Sequence, residues 1–344
     1  MYKKSLLSFS LLLISVSIIA QKPQKLTSNQ IYEKVQKLNF LGSALYIAAH
    51  PDDENTRLIA YLANHEKART AYLSLTRGDG GQNLILAARK VDGGEQRFSR
   101  ANDFGYSKHP DETLKIWDKD KVLADVVWAI RTFKPDVIIN RFNHRTPGTT
   151  HGHHTSSAML SVEAFDLANN KTKYPSQLKN TSTWKPNRLF FNTSWWFYGS
   201  REKFAKADKS KMMSFDIGTY YPLKGLSNNE LASIASSQHL CQGFGRLTTR
   251  GNQTEWVEFL KGDFPKDKKD IFSGINTTWN RVKGGGEIGD ILYEVEKNFD
   301  FVNPSKHLPA LMKAYGLIDN ISDKHWKKIK TKEIKEIIKA CAGL

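Results

Sequence analysis

Two short stretches of this 344-residue chain concentrate side chains that bind cations and move protons. The first, His50-Pro51-Asp52-Asp53-Glu54, packs one imidazole and three carboxylates into five positions. The second, Thr149-Thr150-His151-Gly152-His153-His154-Thr155, carries three imidazoles. A catalytic zinc takes three protein ligands from His, Asp or Glu and leaves a fourth position for water. A turn after Pro51 lets His50 and Asp53 face one ion, and Asp52 then points another way. One carboxylate can hold metal while the other moves protons, since a metal brings the pKa of a bound water toward neutrality. If a helix begins near His151, then His151 and His154 share a face at i and i+3 while His153 points elsewhere. Each stretch taken alone also has a structural reading, as a capping turn or as a polar loop.

Such residues need a scaffold that brings them together. Residues 43–49, 70–75, 136–140 and 188–192 are short apolar runs that read as buried strands. Helical patterns lie between them: residues 55–66, residues 119–133 with Val122, Val126, Val127, Ile130 and Phe133 on one face, and residues 154–168. Strands alternating with helices define an α/β fold, a Rossmann-like parallel sheet with helices on both faces. Ligands in such sheets sit beyond the carboxyl ends of the strands. Residues 50–54 follow the first strand, residues 76–81 the second and residues 141–154 the third, so three polar loops should converge on one crevice. After about residue 225 the pattern loosens, and residues 287–344 look helical. The expected organisation is a main domain over residues 21–260 and a mainly helical appendage over residues 261–344.

Composition narrows the context. Lys3 and Lys4 precede an apolar run over residues 6–19 and a small residue, Ala20, which is the layout of a secretory signal peptide over residues 1–20. That run is short for a bilayer span, so no transmembrane segment is expected in a mature chain. Export to the periplasm or beyond is expected, without lipid attachment, because no cysteine stands near the cleavage point. Cys241 and Cys341 are the only cysteines and suit burial as small hydrophobes better than a disulfide framework. The formal charge of +16 falls to +14 without the two lysines of residues 1–20. Part of the excess lies in residues 261–269 and 324–339; in the second of these, apolar residues recur at helical spacing, so the lysines read as a solvated helix face. Nucleic acid is therefore not the expected partner. Gly78-Asp79-Gly80-Gly81 lacks both the P-loop pattern and the dinucleotide fingerprint, which argues against a nucleotide cofactor. Thr193-Ser194-Trp195-Trp196-Phe197-Tyr198 follows the fourth predicted strand, where Trp196 and its neighbours could stack on a sugar ring or simply pack.

The ordered set Ala49-His50-Pro51-Asp52-Asp53-Glu54, Thr76-Arg77-Gly78-Asp79-Gly80-Gly81 and His151-x-x-His154 resembles the PIG-L/LmbE family of zinc-dependent N-deacetylases. The resemblance runs from about Leu38 to Phe191 and, less specifically, through residues 236–245, which are similar to a stretch of large exported bacterial members. It implies that His50, Asp53 and His154 are the metal ligands, that Asp52 is the general base and that His151 stabilises the oxyanion or protonates the leaving amine. Arg77, with Asp79 nearby, would stand at the substrate end. Zinc is the implied metal, although Fe2+ or Co2+ suits the same donors. A water activated on the metal would attack the acetamide of an N-acetylated sugar or glycoconjugate of the N-acetylglucosamine type, giving acetate and a free amine. One departure stands out: many members have His-Pro-Asp-His in the second loop, and this chain has His153 in place of the acid. Two other readings use the same residues: a catalytically silent binder of carbohydrate or polyanion, and a non-haem iron oxygenase, whose facial triad also has two histidines and one carboxylate. The large members that this chain resembles continue into further β-rich domains, so the helix over residues 331–344 raises two expectations, a shortened relative or a truncated product whose last helix lacks its partner.

Overall fold

The computed structural model describes residues 25–77, 85–239 and 248–344. The predicted signal peptide, Asp79 with its glycines, Cys241 and the stretch 242–245 lie outside the described residues. In chain order the first half holds α1 (Ser28–Asn39), β1 (Ser43–Ala48), α2 (Thr56–Asn64), β2 (Arg69–Thr76), α3 (Ile85–Asp92), β3 (Glu95–Ala101), α4 (Pro110–Ile116), α5 (Lys119–Phe133), β4 (Val137–Asn140) and α6 (Gly152–Leu167). Then follow β5 (Arg188–Thr193), α7 (Arg201–Lys206), β6 (Met212–Asp216), the short pair β7 (Tyr220–Tyr221) and β8 (Leu226–Ser227), α8 (Asn228–Ser236), β9 (Thr254–Gly262), α9 (Gly286–Lys297), α10 (Leu308–Ile318) and α11 (Lys324–Cys341).

A seven-stranded sheet runs β3-β2-β1-β4-β5-β9-β6. Its first five strands are parallel, and β9 joins β5 antiparallel and carries β6 on its far side. Leu45 and Ile47 of β1 enter one core layer with Val126, Ile130 and Leu160, while Tyr46 and Ala48 enter the other with Leu58, Ile59 and Leu62. Helices cover both faces, so every residue of β1, β4 and β5 is buried, the burial that the apolar runs predict. Three strands carry no such run. β3 and β6 are the sheet edges, and β3 reads Glu-Gln-Arg-Phe-Ser-Arg-Ala, as an edge with one wet side permits. β9 is only partly buried and alternates charged with apolar residues. The chain after residue 225 thus returns to the sheet before its helical end.

A third core joins the two ends of the described chain. Ile31, Val35 and Leu38 of α1 pack with Trp279, Leu292, Leu311, Ile334, Ile337 and Cys341. The apolar face of α11 is therefore covered, by α1 and α10, and Cys341 is a buried free thiol. The lysine face of α11 has one inward member. Lys330 is buried and its Nζ donates to the Lys37 and Phe40 carbonyls and to Glu333, at 2.9, 2.9 and 2.8 Å, closing the carboxyl end of α1 with a cation where the helix dipole favours one. Among the described residues no helix is long and apolar enough to cross a membrane.

Asp136, at the start of β4, ties this helical layer to the sheet. It is fully buried, accepts two bonds from the Arg281 guanidinium at 2.9 and 2.5 Å, and accepts the Ser43 backbone N–H at 2.9 Å. Removing one partner of a buried ion pair strands the other charge. Asp136→Ala is expected to lower unfolding free energy by about 3–5 kcal/mol, read by urea denaturation; a change under about 1 kcal/mol would show the pair to be dispensable.

Candidate metal centre

The chain crosses from one side of the sheet to the other between β3 and β4, which makes the β1–β4 neighbours the topological switch point, where α/β sheets open a crevice. Both histidine stretches leave the sheet there: residues 50–54 follow β1 and residues 141–154 follow β4.

Residues 50–53 form a tight turn closed by the Asp53 N–H on the His50 carbonyl at 3.2 Å, and the Tyr72 hydroxyl also donates to that carbonyl. Asp53 Oδ2 accepts the His50 backbone N–H at 2.7 Å and lies 3.1 Å from His50 Nδ1. Its other oxygen lies 3.4 Å from His154 Nε2. Burial alone would push the Asp53 carboxyl up; hydrogen bonds with His154 and His50 instead hold it well below the usual carboxylate range. Burial also works against charge on His50, but the bond and charge of Asp53 outweigh it and raise the imidazole. Asp52 is half-buried on the same turn, near enough for its charge to act on the His50 ring.

The second stretch is shaped by where α6 starts. His151 is its N-cap, with φ −49° and ψ 135°, and its Nδ1 accepts the His153 backbone N–H at 3.1 Å. Capping occupies Nδ1 and leaves Nε2 as the proton-bearing nitrogen of the neutral ring. Burial, then the nearby His154 and His50, lower the His151 pKa and favour that neutral form. His154 stacks on Phe142, ring centres 3.8 Å apart and 3° from parallel, which aims its Nε2 at Asp53. Because His151 is extended rather than helical, regular i, i+3 spacing does not apply across this stretch. His153 consequently does not point away from the group: it is fully buried and its Nδ1 lies 2.9 Å from His50 Nε2. Burial, then the neighbouring histidines, lower its pKa to about 3.

Gly152 makes this entry possible. Its N–H donates to the Ser107 carbonyl at 2.8 Å, and a Cβ here would collide with Ser107 Oγ and stand 2.6 Å from the His109 carbonyl oxygen and Thr113 Oγ1. Gly152→Ala is expected to cost about 1–3 kcal/mol of stability and to weaken metal binding by displacing three histidines together; an unchanged melting temperature and metal affinity would show that the α4 loop yields freely.

Two overlapping groups place ligand atoms within 4.8 Å of one another: His50, Asp53 and His154, and His50, His151 and His153. A neutral imidazole has one lone pair, so His50 serves one ion at a time. The first group supplies a carboxylate to offset a dication and matches the three-ligand pattern that leaves a position open. It fits a divalent metal better than three imidazoles, one of them fully buried.

Arg77 is exposed at the same sheet end, just after β2, and Asp79 lies outside the described residues. Beside the histidines opens a cavity of about 510 Å³ lined by Glu54, Asn55, Arg57, Arg141 and Thr193 among others. A second, of about 650 Å³, shares Arg57, Thr193, Ser194 and Glu255 with it and adds Trp195, Trp196 and Trp256. Trp196 is thus 58% exposed on a neighbouring wall, not in contact with the metal group. The third carboxylate of the first motif has a structural task. The Glu54 side chain is buried, 2.9 Å from both Arg89 and His239 Nε2, and Arg89 reaches Asp92 at 2.6 Å. Phe142, Glu54's partners and Asn192, which receives Tyr46 and Asn55 at 2.9 and 3.0 Å, carry no local sequence signal, since each acts through distant residues.

Fold and site together describe an α/β protein with a His/Asp cluster that could hold a metal ion at the switch point of its sheet. Residues 45–165 match the family model PIG-L, GlcNAc-PI de-N-acetylase. It is 24% identical over 175 residues to the mycothiol S-conjugate amidase of Streptomyces coelicolor, covering 42% of this chain and 59% of that relative's length. Similar solved structures are the N,N'-diacetylchitobiose deacetylase of Pyrococcus horikoshii (16% identity, TM-score 0.35, 43% of this chain and 59% of that one) and the 4-carboxy-2-hydroxymuconate hydratase of Pseudomonas putida (12%, 0.42, 66% and 99%).

Proposed function

We propose that this chain is a metal-dependent N-deacetylase acting on an N-acetylated amino sugar. The observation that carries the reading is the meeting of His50, Asp53 and His154 at one point, with Asp52 and His151 on the flanking positions of the same two loops. These residues would hold a divalent cation, zinc foremost. When bound, it supplies Lewis acidity toward an amide carbonyl and lowers the pKa of water. Asp52 takes a proton from the attacking water. His151, neutral and with its proton on Nε2, would donate to the developing oxyanion. The water oxygen bonds to the carbonyl carbon as the C–N bond breaks; the proton taken by Asp52 passes to the leaving nitrogen, the second water proton is released as the acid ionises, and acetate and the free amine depart. The tryptophan-lined cavity, which shares a wall with the cavity next to the first loop, favours a sugar ring over a small acetamide. The leader-like residues 1–20 support export; accumulation of unprocessed chain in the cytoplasm would count against it.

The test is acetate release from a panel of N-acetylated sugars by the zinc-loaded chain, with and without chelator, under nitrogen. Release that stops on chelation and resumes with added zinc is expected, and independence from oxygen separates hydrolysis from oxygenase chemistry. Tight sugar binding with no acetate would leave a silent binding module.

A further inference from the structure

His153 approaches His50 from outside the preferred group of His50, Asp53 and His154, and the meaning of that contact rests on the deacetylase reading of the site. Its ring is fully buried between Phe104 and Trp117, with centroid distances of 4.4 and 4.8 Å, and its backbone N–H is held by His151. Nδ1 lies 2.9 Å from His50 Nε2, on the side of that ring opposite Asp53. His153 Nε2 has no hydrogen-bond partner. A residue present only to fill the aromatic box would be apolar and would leave no orphaned nitrogen.

We infer that His153 is the positioning residue for His50: it accepts the His50 Nε2 proton, so that the Nδ1 lone pair faces the ion, and does so without charge. One proton lies between the two rings, and only this assignment leaves His50 Nδ1 free to bind metal. The outer nitrogen of a metal-bound histidine is ordinarily held by a carboxylate, a backbone carbonyl or water. With an imidazole there instead, the centre keeps one negative charge fewer. The cation is held less tightly and polarises a carbonyl more strongly.

The test uses the full chain, stripped of metal, with zinc affinity measured by chelator competition and the His50 tautomer read from imidazole 15N shifts in the zinc-loaded protein. His153→Phe fills the box without an acceptor and is expected to weaken zinc binding about 10- to 100-fold. His153→Asn, whose amide oxygen falls near the Nδ1 position, restores most of the loss, and His153→Asp binds zinc more tightly than the natural chain while moving the acid limb of the activity profile to higher pH. Circular dichroism checks folding. Unchanged affinity in His153→Phe, equal affinities of the Asn and Asp variants, or a proton on His50 Nδ1 in the loaded protein would overturn the inference and leave the deacetylase reading intact. Failure of the natural chain to bind any divalent metal would overturn both.

Discussion

Asp52→Asn lowers the turnover of acetamide hydrolysis by about 10²- to 10⁴-fold, the usual contribution of a general base, and leaves zinc bound. The amide keeps the size and much of the hydrogen bonding of the carboxylate but does not take a proton from water. Asp52 sits on the turn that holds His50 and Asp53, so a variant that disturbed the turn would also lose metal. Measuring zinc content beside turnover separates the two effects. Full activity in the Asn variant would remove Asp52 from the mechanism, and loss of zinc together with activity would make it a structural residue.

Asp53→Ala removes the carboxylate that both His50 and His154 face, and metal affinity is expected to fall by more than about 100-fold, beyond the range for residues that act only from behind a ligand. The effect is large because Asp53 is the only carboxylate in the preferred group, so its loss leaves two imidazoles to hold a dication. His154→Ala is expected to follow it, though the Phe142 face then also lies open. Should the Asp53 variant bind zinc as the natural chain does, the ion belongs to the three-histidine group and the proposed assignment fails.

Sequence pattern was most informative where the physics is local. β1, β2, β4 and β5 are legible as apolar runs because helices cover both sheet faces. β3 and β6 are not, since edge strands with a wet side need no such run, and β9 blends charge with partial burial. The same limit shows in α11. Its apolar spacing reads correctly as an amphipathic helix, but nothing in the spacing distinguishes Lys330, aimed at the end of α1, from the lysines in water.

By itself the sequence determined the α/β class and the strand ends at which charge and imidazoles collect. Those follow from short-range periodicity and from the handedness of parallel connections, which hold for any chain. The tertiary structure decided the rest: that His153 backs His50, that Glu54 is spent on Arg89 and His239, that Trp196 stands one cavity away, and that α1 completes the helical layer. Each of these joins residues tens or hundreds of positions apart, and their approach is fixed by how the layers pack, which no window along the chain contains.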